Sequence, residues 1–289
     1  MIKKVMQKIM SRKMAAILSV QSTALWAIND FMNRNEVVQL LPVALKTSES
    51  PNDAVLEYNG QKLSFAKDML LHKRIMICSP YLKGVYAITP CVRFEQSNDE
   101  RHLLEFSQVA VELRNISLEQ FMRFTENLFC HVIREIKRKN ALELEELQRK
   151  LREPKKPFKE IPFDLAKKLG TDFREKLSEK EKQPFWVTNI ECGFHDRKDC
   201  DLIYPEKFGE ALSGGERNYK YASLFGKARK SKQPIQTVQP YLKLAKANQL
   251  APSTGGGIGL ERFLCYLTGT KNITEVSPFA KNPGKPVLL

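Results

Sequence analysis

The chain has 289 residues, with 47 lysines and arginines against 33 aspartates and glutamates, a formal net charge of +14. Its 42% hydrophobic and 28% charged content is ordinary for a globular domain with a sizeable core. No apolar run reaches the ~18–20 residues of a membrane span, and the six cysteines form no CxxC pair or zinc spacing, so the sequence predicts reduced thiols in a cytoplasmic protein.

The N-terminus, with Lys3, Lys4 and the apolar stretch Met14–Leu18, has the outline of a signal peptide. Gln21, Ser22, Thr23, Asn29 and Asp30 interrupt it, and an amphipathic helix fits better. Asn35–Pro42 reads as a helix end running into a strand with proline at its edge. Residues 92–108 read as strand, polar loop, strand, and the period of two places Arg93 and Glu95 on one face. On the returning strand Phe106, Gln108, Ala110 and Glu112 share a face, with Val109 and Val111 toward the core. A polar face carrying a stacking ring suits a ligand; a solvent-exposed sheet face is the competing reading.

Ser117-Leu118-Glu119-Gln120 is a capping box opening a helix whose apolar face is Leu118, Phe121, Met122, Thr125, Phe129, Val132, Ile133 and Ile136. That helix is expected to run toward Leu151, before Pro154 stops it. Residues 134–182 read as a charged helical insertion packed outside the domain, its mixed-sign runs being solvated faces, an RNA contact, or a site for another acidic partner. Pro184–Ile190 reads as a buried strand. Leu212-Ser213-Gly214-Gly215-Glu216 has the look of a transporter-ATPase signature, but the chain contains no GxxxxGK[ST], and Leu260 breaks a GxGxxG at residues 255–260. In Pro252–Arg262 a glycine run permits close approach to a ligand, and Leu260, Phe263, Leu264 and Leu267 then mark a short helix that Gly269 can end. Arg262 falls in its first turn, where free N–H groups favour anions.

The Pro42, Arg93/Glu95 and Gly257/Gly259/Glu261/Arg262 segments, in this order, resemble the three signature motifs of the class II aminoacyl-tRNA synthetases. Residues 101–108, 200–203 and 209–217 narrow the resemblance to the aspartyl/asparaginyl branch, over roughly residues 20–289. It implies an α+β fold, a mainly antiparallel sheet flanked by helices, as one catalytic domain over 1–289. It also implies a homodimer through the N-terminal helix and the Pro42 strand, with Ile17, Val20, Leu25, Ile28 and Phe31 as contact surface.

By the same resemblance, Arg93 holds the carboxylate and α-phosphate, and Arg262 the γ-phosphate of ATP. Phe106 stacks on adenine beside Glu95, Arg101 and His102 close over the triphosphate, and Gly257 and Gly259 line the nucleotide. Asp201 and Glu210 match magnesium carboxylates, with a surface salt bridge as the alternative for either one. Lys73 and Arg217 match positions gripping the amino acid's carboxylate, next to Gln108. Two positions depart from the pattern: Ala110 replaces an acid, and Asp68 replaces a serine at the start of the lysine-bearing helix. The exchange compensates within the pocket, or retunes it for another acid or amine.

The branch carries an N-terminal anticodon-reading domain of about 100 residues, whereas some twenty residues precede the first motif's helix here. The chain is therefore most similar to the archaeal-type asparagine synthetase. The expectation is an AMP-forming ligase that uses ATP and Mg2+ to adenylate the β-carboxylate of aspartate for attack by ammonia, without tRNA as a partner. The alternatives are aminoacyl transfer to tRNA or to another acceptor, and a non-catalytic paralogue.

Overall fold

The computed structural model describes residues 2–47, 55–94, 102–230 and 235–283. In chain order, α1 (Ile2–Ile9) and α2 (Arg12–Arg34) lead into β1 (Val37–Gln39) and a small meander of β2 (Leu45–Thr47), β3 (Val55–Tyr58) and β4 (Gln61–Phe65). Next come α3 (Leu70–Met76), β5 (Gly84–Val92), β6 (Glu105–Arg114), α4 (Leu118–Lys139), α5 (Ala141–Glu146), β7 (Glu160–Pro162), α6 (Phe163–Ala166) and α7 (Phe173–Lys180). The chain continues through β8 (Phe185–Ile190), β9 (Asp196–Ile203), β10 (Glu210–Arg217), α8 (Tyr221–Lys230), α9 (Ile235–Lys246), β11 (Ser253–Gly259) and α10 (Leu260–Thr268).

The main sheet has eight strands in the order β1-β5-β6-β11-β10-β9-β8-β7. Its two outermost pairs, β1/β5 and β7/β8, are parallel, and every pairing between them is antiparallel. This is the predicted α+β class. One face of the sheet packs on α2, α4 and α10, where Val109, Val111, Phe121, Phe129, Ile133, Phe263 and Leu267 form the main core. The capping box opens α4 as predicted, Ser117 Oγ accepting from Gln120 N while Gln120 Oε1 accepts from Ser117 N. Gly269 ends α10 in the left-handed conformation, φ 76°. Among the described residues no helix is long and apolar enough to cross a membrane, and all six cysteines are free thiols.

Three expectations are corrected. Ile17, Val20, Ile28 and Phe31, expected as contact surface for a second subunit, are buried in the chain's own core because α2 lies against α4 and α5, and Leu25 is partly buried against the same core. Helix α4 stops at Lys139, where Asn140 caps it and donates its side-chain amide to Ser19 Oγ (3.0 Å), and the chain restarts as α5. Residues 134–182 are no external insertion: they contain the end of α4, and β7 forms an edge of the main sheet. Glu126 of α4, fully buried, accepts from Phe158 N and Trp186 Nε1, both at 3.1 Å, and so fastens this segment to the core.

Candidate active site

The face of the main sheet opposite the core is polar by construction. Gln108, Ala110 and Glu112 on β6 stand opposite Gly259, Gly257 and Gly255 on β11, which stand next to Ser213 and Gly215 on β10. Asp201 and Asp199 on β9 complete the rows beside Ser213 and Gly215. The glycine run is thus a strand, and its glycines clear space for neighbouring side chains to lie flat. A Cβ at Gly255 would overlap Glu112 Oε2, one at Gly257 would overlap Gln108 Nε2, and one at Gly215 would overlap Asp199 Oδ1.

A cavity of about 410 Å³ opens on this floor and brings together Arg93, His102, Phe106, Gln108, Glu210, Gly257, Gly259 and Arg262. Arg93 lies just beyond β5, its backbone N donating to Leu104 O (2.8 Å) and its guanidinium 5.0 Å from the Phe106 ring centre. Arg262 sits in the first turn of α10, and its Nη1 donates to Glu210 O (3.1 Å). Both carboxylate oxygens of Glu261 accept from Ser107 N at 2.9 Å, locking α10 to β6. Glu95 and Arg101 lie outside the described residues.

At the cavity's edge Asp201 and Glu210 share one guanidinium. Arg174 of α7 donates from Nη2 to Asp201 Oδ2 (2.5 Å), and its Nε is 4.0 Å from Glu210 Oε2. Burial, followed by repulsion from Asp201, raises the Glu210 carboxyl above its ordinary range. Among the described residues no group of three or more His, Cys, Asp or Glu side chains could hold a metal ion. Two carboxylates still suit magnesium, which typically takes one or two from protein and the rest of its oxygens from water and phosphate.

The predicted amino-acid residues lie deeper. Lys73 and Arg217 are only 3% and 5% exposed, and Glu112 is fully buried between them. Arg217 Nε donates to Glu112 Oε1 (3.0 Å), Nη2 to Glu112 Oε2 (3.1 Å), and Nη1 to Asp196 Oδ1 (2.6 Å). Lys73 Nζ donates to Val111 O (3.1 Å) and is 4.0 Å from Glu112 Oε2, while Ser253 Oγ donates to Glu112 Oε1 (2.8 Å). Burial pulls the Lys73 ammonium down to about 8 despite the opposing pull of Glu112. Burial would raise Glu112, but Arg217 and Lys73 outweigh it and hold the carboxyl below its ordinary value. Next to this network Arg74 Nη1 contacts His195 Nδ1 (2.8 Å), and burial together with Arg74 lowers that imidazole to about 3, so it stays neutral.

The carboxylate beside Lys73 is Glu112, two residues from Ala110 on the same face of β6, a position the strand alternation had already marked. Asp68 is exposed and accepts from Leu70 N (2.9 Å), so it braces the start of α3 and acts on Lys73 only through space. Arg174 and the Arg74–His195 pair carried no sequence signal, because each meets its partners only through tertiary contacts.

The model of the family described as tRNA synthetases class II (D, K and N) matches residues 1–283. The chain belongs to this family. It is 28% identical to an aspartate–tRNA(Asp/Asn) ligase from Methanopyrus kandleri, over 92% of this chain and 68% of that protein. It is also 28% identical to an asparagine–tRNA ligase from Ureaplasma urealyticum, over 93% of this chain and 70% of that protein. Its fold matches an asparaginyl-tRNA synthetase from Pyrococcus horikoshii complexed with asparaginyl-adenylate, with a TM-score of 0.88 at 23% identity over 97% of this chain and 71% of that one. These relatives overturn two expectations, ammonia-dependent asparagine synthesis and the exclusion of tRNA as a partner. Both rested on which residues precede the first motif.

Proposed function

We propose that the protein joins aspartate or asparagine to tRNA in two steps, through an aminoacyl adenylate made from ATP. The observation that carries this reading is one polar floor with two ends: Arg93, Arg262 and the Asp201/Glu210 acids at one, the Lys73–Glu112–Arg217 network at the other. At the first end Arg93 holds the substrate's carboxylate against the α-phosphate and Arg262 holds the γ-phosphate, bidentate work suited to guanidinium. The carboxylate oxygen displaces pyrophosphate from the α-phosphorus, and a terminal ribose hydroxyl of tRNA then displaces AMP. Phe106 offers its ring to the adenine. Asp201 and Glu210 would hold magnesium, which when bound would supply neutralising charge for the phosphates.

At the other end the buried cations are partly neutralised by Glu112 and Asp196, which suits a short carboxylate or carboxamide side chain and excludes an apolar one. The +14 charge accords with a polyanionic partner, and six free thiols accord with a cytoplasmic location.

The test supplies ATP, magnesium, unfractionated tRNA and labelled aspartate or asparagine. Ribonuclease-sensitive, acid-precipitable label and amino-acid-dependent ATP–pyrophosphate exchange are expected. Formation of ADP and phosphate, or exchange with no label on RNA, would overturn the reading.

A further inference from the structure

We infer that Arg174 is a built-in counter-cation of the Asp201/Glu210 pair, excluding a free divalent ion and giving way to one that arrives with a phosphate chain. The two acids come from neighbouring strands, β9 and β10, and both stand next to Arg174; they repel each other, and beside Arg262, which acts on Glu210, Arg174 is the cation set against both. Arg174 reaches them from α7, a helix of a different part of the chain, and its grip is uneven. It makes a 2.5 Å hydrogen bond to Asp201, but its Nε stays 4.0 Å from Glu210 and finds no acceptor although buried. The guanidinium carbon rests 4.7 Å from the Phe173 ring centre, and the side chain is 39% exposed. The residue is therefore held by one strong contact and has solvent to move into.

A bare divalent ion entering between the carboxylates must remove this guanidinium and gains only two protein ligands in return. An ion carrying a triphosphate brings its own oxygens, and those oxygens in turn give the displaced guanidinium a new anion. Metal and nucleotide then enter as one unit.

The phosphate half of this inference rests on the adenylate-forming reading; the metal half does not. The experiment titrates Mn2+ alone into the full chain, by calorimetry or by loss of the free-ion paramagnetic resonance signal. Wild type is expected to bind weakly, and Arg174→Gln to bind roughly ten- to a hundredfold more tightly, the size of effect typical of groups that act on metal ligands. Adding Glu210→Gln to Arg174→Gln should erase the gain, and Arg174→Lys, which keeps the charge, should stay near wild type. A nonhydrolysable ATP analogue should bring wild type and Arg174→Gln to similar Mn2+ affinity. No gain in Arg174→Gln, a gain that survives Glu210→Gln, or an Arg174→Lys protein as tight as Arg174→Gln would each overturn the inference. A Mn2+ gain in a protein that fails to charge tRNA would leave this inference standing and remove the proposed function instead.

Discussion

Replacing Glu112 with Gln tests the buried network most directly. The substitution keeps shape and one carbonyl oxygen but removes the charge that Arg217 and Lys73 share. Breaking a buried ion pair by removing one partner typically costs ~3–5 kcal/mol, because the other charge is left without compensation. Arg217 retains Asp196, so the lower half of that range is expected, and Lys73 loses its nearest carboxylate. Against a typical domain stability of ~5–15 kcal/mol the variant still folds, with a melting temperature lower by roughly 6–12 °C. Urea unfolding with an unchanged slope and a lower midpoint is the assay. The charge loss has a second signature. Glu112 raises the Lys73 pKa, so without it the ammonium titrates below about 8. A loss of stability under 1 kcal/mol, or an unshifted Lys73, would refute the claim that Glu112 holds this network together.

The remaining predictions follow from the same geometry. Lys73 is charged below about 8, so KM for the amino acid should rise as pH increases through that value while KM for ATP stays flat. As a base lowered from 10.5, Lys73 costs folding stability in full below its folded pKa, and stability should recover between about 8 and 10.5, as read by unfolding at several pH values. Gly255→Ala should destabilise by at least ~1–3 kcal/mol, since its Cβ would meet the Glu112 carboxylate and the Val111 carbonyl, neither of which can retreat. Gly257→Ala should leave stability nearly intact, because it displaces only the end of the Gln108 side chain, and should instead raise KM for substrates sharing the cavity. Arg93→Ala should abolish pyrophosphate exchange without lowering the melting temperature, because its side chain lines the cavity.

The α+β class came from the family resemblance, whereas local pattern determined the alternating face of β6, the capping box of α4 and the helix after the glycine run. Each of these last three is a local pattern whose physical cause is complete within a dozen residues. Arg93 and Arg262 were marked by the motifs that carry the family resemblance, and the structure brings both to one cavity. Tertiary structure decided what those patterns meet. The apolar stripe of α2 looked like a surface for a second subunit, yet a buried stripe reads the same whether its partner is another chain or α4. The charged stretch 134–182 looked solvated because its sequence mixes signs, but β7 closes a sheet edge and Arg174 lands on two acids far along the chain. The glycines at 215, 255 and 257 were visible as glycines; that each makes room for one named polar side chain on an adjacent strand was settled only by the strand register.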